Sequence, residues 1–165
     1  MSLEFYLQKF QDLNTLRQNG HSKPHKVCML LAVMDLISIG AINQNKIEFN
    51  DALKHCFSSH FQRLRAGTDA DTPENPFFHL RSDGFWHLHY QPGIDASTVD
   101  RFSKSKIAYA SLDTELFEFF KSSIICSDLR LALTMNLTRL PELYQRWAQS
   151  LGKSEKTVSN YLNAV

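Results

Sequence analysis

The sequence predicts an α+β domain, mainly helical, with a winged-helix-like core and additional C-terminal helices. Three observations carry this. Apolar residues recur at helical spacing in several separate segments. One of these, Val27 to Met34, is apolar on nearly every side. Asp83-Gly84 lies between two aromatic-rich runs, where a two-residue hairpin turn would place it.

Leu3, Phe5, Tyr6, Phe10, Leu13 and Leu16 make an amphipathic first helix, stopped near Asn19-Gly20. A short basic loop follows, His21-Ser22-Lys23-Pro24-His25-Lys26, and Pro24 marks the start of a second helix running to about Ile39. A helix apolar on most sides belongs at the centre of a domain. Its N-terminus offers unpaired backbone N–H groups and the positive end of the helix dipole. With His25 and Lys26 beside them, these groups form a candidate phosphate seat. The alternative is that Lys26 is a solvated first-turn residue and His25 a local cap partner. After Gly40, Lys46-Ile47-Glu48-Phe49 reads as a short strand. Asn50 then caps a third helix with Leu53, Cys56, Phe57 and Phe61 on one side, and Lys54, His55, His60, Arg63 and Arg65 elsewhere.

Beyond the polar loop from Gly67 to Glu74, Asn75 to His89 holds four aromatic residues, three histidines and Arg81. Phe77-Phe78-His79-Leu80 and Phe85-Trp86-His87-Leu88-His89 read as the two arms of a hairpin turned at Ser82-Asp83-Gly84. It is either a core hairpin with a wet back or a wing that presents Pro76, His79 and Arg81 to a ligand. Helix, helix, short strand, helix, hairpin is the order of a winged helix, in which the third helix and the wing approach nucleic acid. A further basic cluster follows at Arg101, Lys104 and Lys106. Ile107, Ala108, Tyr109, Leu112, Leu116, Phe117, Phe119 and Phe120 supply apolar surface around a helix starting near Ser111-Leu112-Asp113, and another helix starts at Ser127 or Asp128. Composition shifts near Thr138. Pro141 opens one more helix and Ser154-Glu155-Lys156-Thr157 caps the last. The expected division is a domain over 1–137 and a helical extension over 138–165 that begins a further module.

With 165 residues, 43% of them hydrophobic and 21% charged, the chain suits one packed domain with a small appendage. A net charge of +1 provides no global field for nucleic acid, so any such binding must come from local patches. The cysteines, Cys28, Cys56 and Cys126, are odd in number and far apart, which indicates neither a disulfide framework nor a zinc knuckle and suits a reducing cytoplasm. The N-terminal segment has no apolar signal core, and the longest apolar run is too short to span a bilayer. His55 and His60 are five apart and do not share a helix face. His87 and His89 share a strand face, but no Cys or carboxylate is placed to complete a metal site. No metal site, cofactor or catalytic residue is expected.

Three pieces, in this order, resemble one family. They are Pro24-His25-Lys26 before the apolar helix, Asn75-Pro76-Phe77-Phe78-His79-Leu80-Arg81-Ser82-Asp83-Gly84-Phe85-Trp86, and Ala108-Tyr109-Ala110-Ser111-Leu112-Asp113-Thr114-Glu115-Leu116-Phe117. Over roughly Leu3 to Leu137 the chain resembles the sulfur-binding domain at the N-terminus of phosphorothioate-dependent, type IV restriction endonucleases, many with an HNH nuclease domain behind. The resemblance implies a partner: double-stranded DNA with sulfur in place of a non-bridging phosphate oxygen. It implies that His25 and Lys26 contact the modified backbone, that Asn75, Pro76 and His79 line a shallow sulfur pocket, and that Arg101 lies in the region of a later basic contact. Lys23, Arg63, Arg65, Arg81 and Lys104 complete the candidate DNA contacts. The chain departs from the family's common pattern at Asn75, where an aromatic residue usually precedes the proline, and at His79, where many members have a small residue.

The chemistry suits that reading. A phosphorothioate sulfur is larger, softer and less well hydrated than oxygen, and a poorer hydrogen-bond acceptor. A pocket of proline ring and side-chain carbons loses little by desolvating sulfur and much by desolvating a phosphate oxygen. The expected function is therefore to bind phosphorothioate-modified DNA and target a nuclease domain located elsewhere in a longer protein, with homodimer formation left open. A winged-helix regulator without sulfur specificity is the alternative. A hydrolytic or metal enzyme built on His79, His87 and His89 and a protein-interaction domain come behind it. Basic residues clustered at three separated places favour a polyanion.

Overall fold

The apolar second segment folds as expected and sets the centre of the molecule. A computed structural model describes residues 2–18 and 21–138. In it, helix α2 (His25–Ser38) buries ten of its fourteen residues. Around it pack α3 (Asp51–Leu64), α4 (Glu74–His79), α5 (Thr114–Lys121) and α6 (Ser123–Thr138), while α1 (Leu3–Gln11) lies against α5 and α6. Two small antiparallel sheets complete the fold: β1 (Arg17–Gln18) with β2 (His21–Ser22), and β3 (Trp86–Tyr90) with β4 (Ile107–Leu112). The architecture is thus α+β and mainly helical.

Local signals account for most helix starts. Ser2 Oγ accepts from Phe5 N at 3.3 Å at the head of α1. Asn50 Oδ1 accepts from Leu53 N at 3.0 Å at the head of α3, which then buries Leu53, Phe57 and Phe61 four residues apart. Pro24 precedes α2, where a missing N–H costs nothing.

The structure departs from the local reading in five places, four of them through long-range contacts. α1 stops at Gln11 rather than near Asn19, because Leu13 turns into the core and Asn14 N bonds Asp83 Oδ1 at 3.0 Å. The strand expected at Lys46–Phe49 shrinks to one bridge, Ile47 with Ala110, beside which the Asn45 amide brackets the Leu112 backbone at 2.7 and 2.8 Å. The hairpin expected over 77–89 is not formed. Its first arm is α4, continued by a 3₁₀ turn (Leu80–Asp83), and Gly84 ends that turn at φ +90°. Burial of Phe77, Phe78 and Leu80 follows a helical face rather than an alternating one. Trp86 Nε1 donates to the Phe77 carbonyl at 2.9 Å and locks the end of β3 onto α4.

The partner of β3 is β4, in the register Trp86↔Leu112, so Ile107 to Leu112 are strand rather than helix surface. No wing of adjacent arms therefore exists at 77–89, and the winged-helix detail of the expectation is not confirmed. Finally, α6 begins at Ser123, earlier than Ser127, with Ser122 Oγ accepting from Ile125 N at 3.4 Å. The helices expected from Pro141 and Ser154 lie outside the described residues.

Candidate nucleic-acid interface

The start of α2, the first turn of α4, the stretch after α1 and the 66–72 loop enclose a cavity of ≈ 620 Å³. Six residues singled out from the sequence line it: Lys23, His25, Lys26, Asn75, Pro76 and His79. Pro76 can stand in the first turn of α4 because the N–H it lacks would have no intrahelical acceptor. Its side chain is buried in the cavity wall, while Asn75 and His79 are exposed beside it. Asn75 Nδ2 donates to Thr72 Oγ1 at 3.2 Å, tying α4 to the loop before it. Partial desolvation, with Arg81 and Lys26 nearby, lowers the His79 imidazole from its ordinary value and so disfavours the charged ring.

The basic pair is organised differently from a solvated first turn. His25 Nε2 lies 2.7 Å from the Ala70 carbonyl, which can only accept, so Nε2 carries the proton. Its ring sits 5.0 Å from that of Phe61. His25 thus pins the 66–72 loop over the start of α2. Lys26 is buried, and its Nζ lies 2.6 Å from Asp83 Oδ2, with Ser82 Oγ at 3.5 Å. Lys23 Nζ faces Asp69 Oδ1 at 4.0 Å.

The remaining candidates divide. Arg81 is exposed on the 3₁₀ turn next to the cavity, its guanidinium 4.3 Å from the Phe78 ring centre. Arg65 is exposed, 5.7 Å from the ring of Phe61, which also contacts His25. Arg101 and Lys104 are exposed in the 91–106 loop, outside the cavity lining. Phe102 between them packs on Phe49 at 4.4 Å and Phe77 at 5.6 Å, which holds that loop beside α4. Arg63 faces elsewhere. It donates to His60 Nδ1 at 2.7 Å and lines a separate ≈ 400 Å³ cavity with Arg130. There His60 Nε2 and Arg130 Nη2 both bond Asp35, at 2.5 and 2.6 Å. Burial alone would raise Asp35, but these two donors outweigh it and hold the carboxyl below the usual range.

His87 and His89 lie on the sheet away from these residues. His87 Nε2 bonds Asp113 Oδ1 at 2.6 Å. His89 Nε2 bonds Ser111 Oγ at 2.8 Å and its ring stacks on Tyr109. Among the described residues no group of three or more His, Cys, Asp or Glu side chains is arranged to hold a metal ion, and no helix is long and apolar enough to cross a membrane. Sequence reasoning missed Leu16, an apolar rim residue 66% exposed at the cavity, and the role of Asp83. A lone exposed leucine and an Asp-Gly turn carry no signal of either.

The model of one protein family, ScoMcrA-like DNA sulfur-binding domain, matches residues 4–126. The sulfur-binding domain of SprMcrA, solved in complex with phosphorothioated DNA, is similar with a TM-score of 0.64 at 16% identity, over 84% of this chain and 86% of that one. The sulfur-binding domain of ScoMcrA, also with phosphorothioated DNA, is similar with a TM-score of 0.56 at 14% identity, over 82% and 89%. A longer ScoMcrA structure holding the sulfur-binding and SRA domains gives 0.56 at 14% identity, over 74% of this chain and 40% of that one. No curated protein matches the chain in sequence.

Proposed function

The chain belongs to the ScoMcrA-like DNA sulfur-binding domain family, and from that premise we propose that it binds double-stranded DNA carrying a backbone phosphorothioate. The observation that carries the reading is the convergence of Asn75, Pro76 and His79 with Lys23, His25 and Lys26 on one cavity. In this reading the sulfur rests against the Pro76 side chain, flanked by Asn75 and His79. His25 and Lys26 face the modified backbone, while Lys23, Arg65, Arg81, Arg101 and Lys104 hold neighbouring phosphates. An apolar pocket of this kind discriminates by about 1–3 kcal/mol. The phosphate contacts add affinity that weakens with salt.

The chain acts as a binding module, and the cleavage it directs belongs to an HNH-type nuclease domain carried elsewhere in a longer, cytoplasmic restriction protein. The module occupies 1–137, and 138–165 lead into a further module.

The test is a titration of one short duplex in two forms, identical except for a single Rp phosphorothioate, at near-physiological salt. A preference of about tenfold or more, worth roughly 1.4 kcal/mol, supports the sulfur reader. Equal binding overturns it in favour of a plain DNA binder.

A further inference from the structure

The cations around the cavity differ in pairing, and Lys23, half-buried in its lining, faces Asp69 at 4.0 Å. Arg65, Arg81, Arg101 and Lys104 are exposed and enter no ion pair among the described residues. Lys26, deepest of the basic residues, is paired at 2.6 Å with Asp83, and their side chains are only 10% and 6% exposed. Asp83 engages three walls at once. Its Oδ2 takes Lys26 from α2, its Oδ1 takes Asn14 N from the stretch after α1, and it sits on the turn that carries Ser82. Asn14, Lys26 and Ser82 all line the cavity.

We infer that Asp83 is a specificity-determining residue: by neutralising Lys26 inside the cavity wall, it denies phosphate oxygen the reward an unpaired ammonium would give it. The inference rests on the sulfur-reading function proposed above. A free ammonium makes a strong, charge-assisted hydrogen bond to a phosphate oxygen and a weaker one to sulfur, the poorer acceptor. An unpaired Lys26 would therefore favour ordinary DNA and erode the advantage the apolar wall gives to sulfur. With Asp83 in place, Lys26 still offers an N–H to the backbone, but the pair contributes no net charge. Attraction for the polyanion is left to the exposed outer cations, and the cavity discriminates by desolvation.

The test compares the unaltered chain with Asp83→Asn on the paired duplexes across a salt series. Asn keeps an oxygen for the Asn14 backbone N–H while removing the charge. The expected result is that unmodified duplex binds several-fold tighter, the sulfur preference falls at least threefold, and the slope of log affinity against log salt steepens by about one. A purely structural role would change urea unfolding and leave preference and slope as they were, and that result overturns the inference.

If Asp83→Asn does not fold, the double variant Lys26→Met/Asp83→Leu removes both charges and keeps an apolar filling. Losing the Lys26 hydrogen bond lowers its affinity for both duplexes, but its salt slope should match that of the unaltered chain. A slope shallower by about one would mean Lys26 acts as an uncompensated phosphate contact, and would overturn the inference. Absence of any sulfur preference in the unaltered chain is a separate outcome, and it refutes the underlying sulfur-reading proposal instead.

Discussion

Replacing Pro76 by Ala tests the sulfur pocket most directly. Pro76 lines the cavity with its side chain buried in the wall. The substitution removes two ring methylenes from the surface on which sulfur would rest. At about 0.8 kcal/mol per buried methylene, the largest loss is about 1.6 kcal/mol, or roughly fifteenfold in the sulfur preference. The backbone should tolerate the change. Pro76 is the third residue of α4, where an added N–H is one of the unpaired first-turn donors, and alanine is a good helix former. Fluorescence anisotropy on the paired duplexes, with urea unfolding as a control, measures it. The expected result is weaker binding to the phosphorothioate duplex with little change for the unmodified one. Equal loss on both, or an unchanged ratio in a folded variant, would refute the reasoning.

The other predictions concern the outer contacts, the scaffold and its pH dependence. Arg81→Ala should weaken binding to both duplexes and make the salt slope shallower by about one, read from the same titrations. Trp86→Phe removes the indole donor to the Phe77 carbonyl beside Pro76, and with it a buried hydrogen bond. The cost should be about 0.5–1.5 kcal/mol in urea unfolding. Burial raises the Asp113 carboxyl, but hydrogen bonds from His87 and Tyr6 outweigh it and hold the group below its ordinary range, as His60 and Arg130 do for Asp35. Depressed carboxylates stabilise the fold fully above the ordinary carboxylate range, and that contribution disappears as pH falls through their folded values. Unfolding free energy should thus drop in acid, less steeply in Asp113→Asn than in the unaltered chain. Burial pushes the Cys28 thiol up to about 12, so it should resist alkylation at pH 8 until the chain is unfolded, as mass spectrometry would reveal.

What was legible in advance is what short-range physics governs. The apolar sweep from Val27 to Ile37 announced the central helix. The Asn50 cap and the spacing of Leu53, Phe57 and Phe61 announced α3. These depend on hydrogen bonds and side-chain faces within a few residues, which a sequence displays directly. The grouping of His25 and Lys26 with Asn75, Pro76 and His79 was legible only through the family resemblance, since the two segments lie some fifty residues apart.

Tertiary structure alone decided the rest. Asp83-Gly84 satisfies a hairpin turn as well as the end of a helical turn, because both use a glycine at positive φ. The choice fell to partners far along the chain. β4 pairs with β3 across the 91–106 loop, and Trp86 reaches back to the Phe77 carbonyl. Asp83 is likewise a turn residue by itself and becomes a buried counter-ion only because α2 brings Lys26 within 2.6 Å of it. Arg63 shares a cavity with Arg130 and Thr134 of α6, some seventy residues on, and not with Pro76, which its place on α3 could not announce. A sequence states which charges exist. Which of them are cancelled and which face outward depends on distances between segments that only the folded chain brings together.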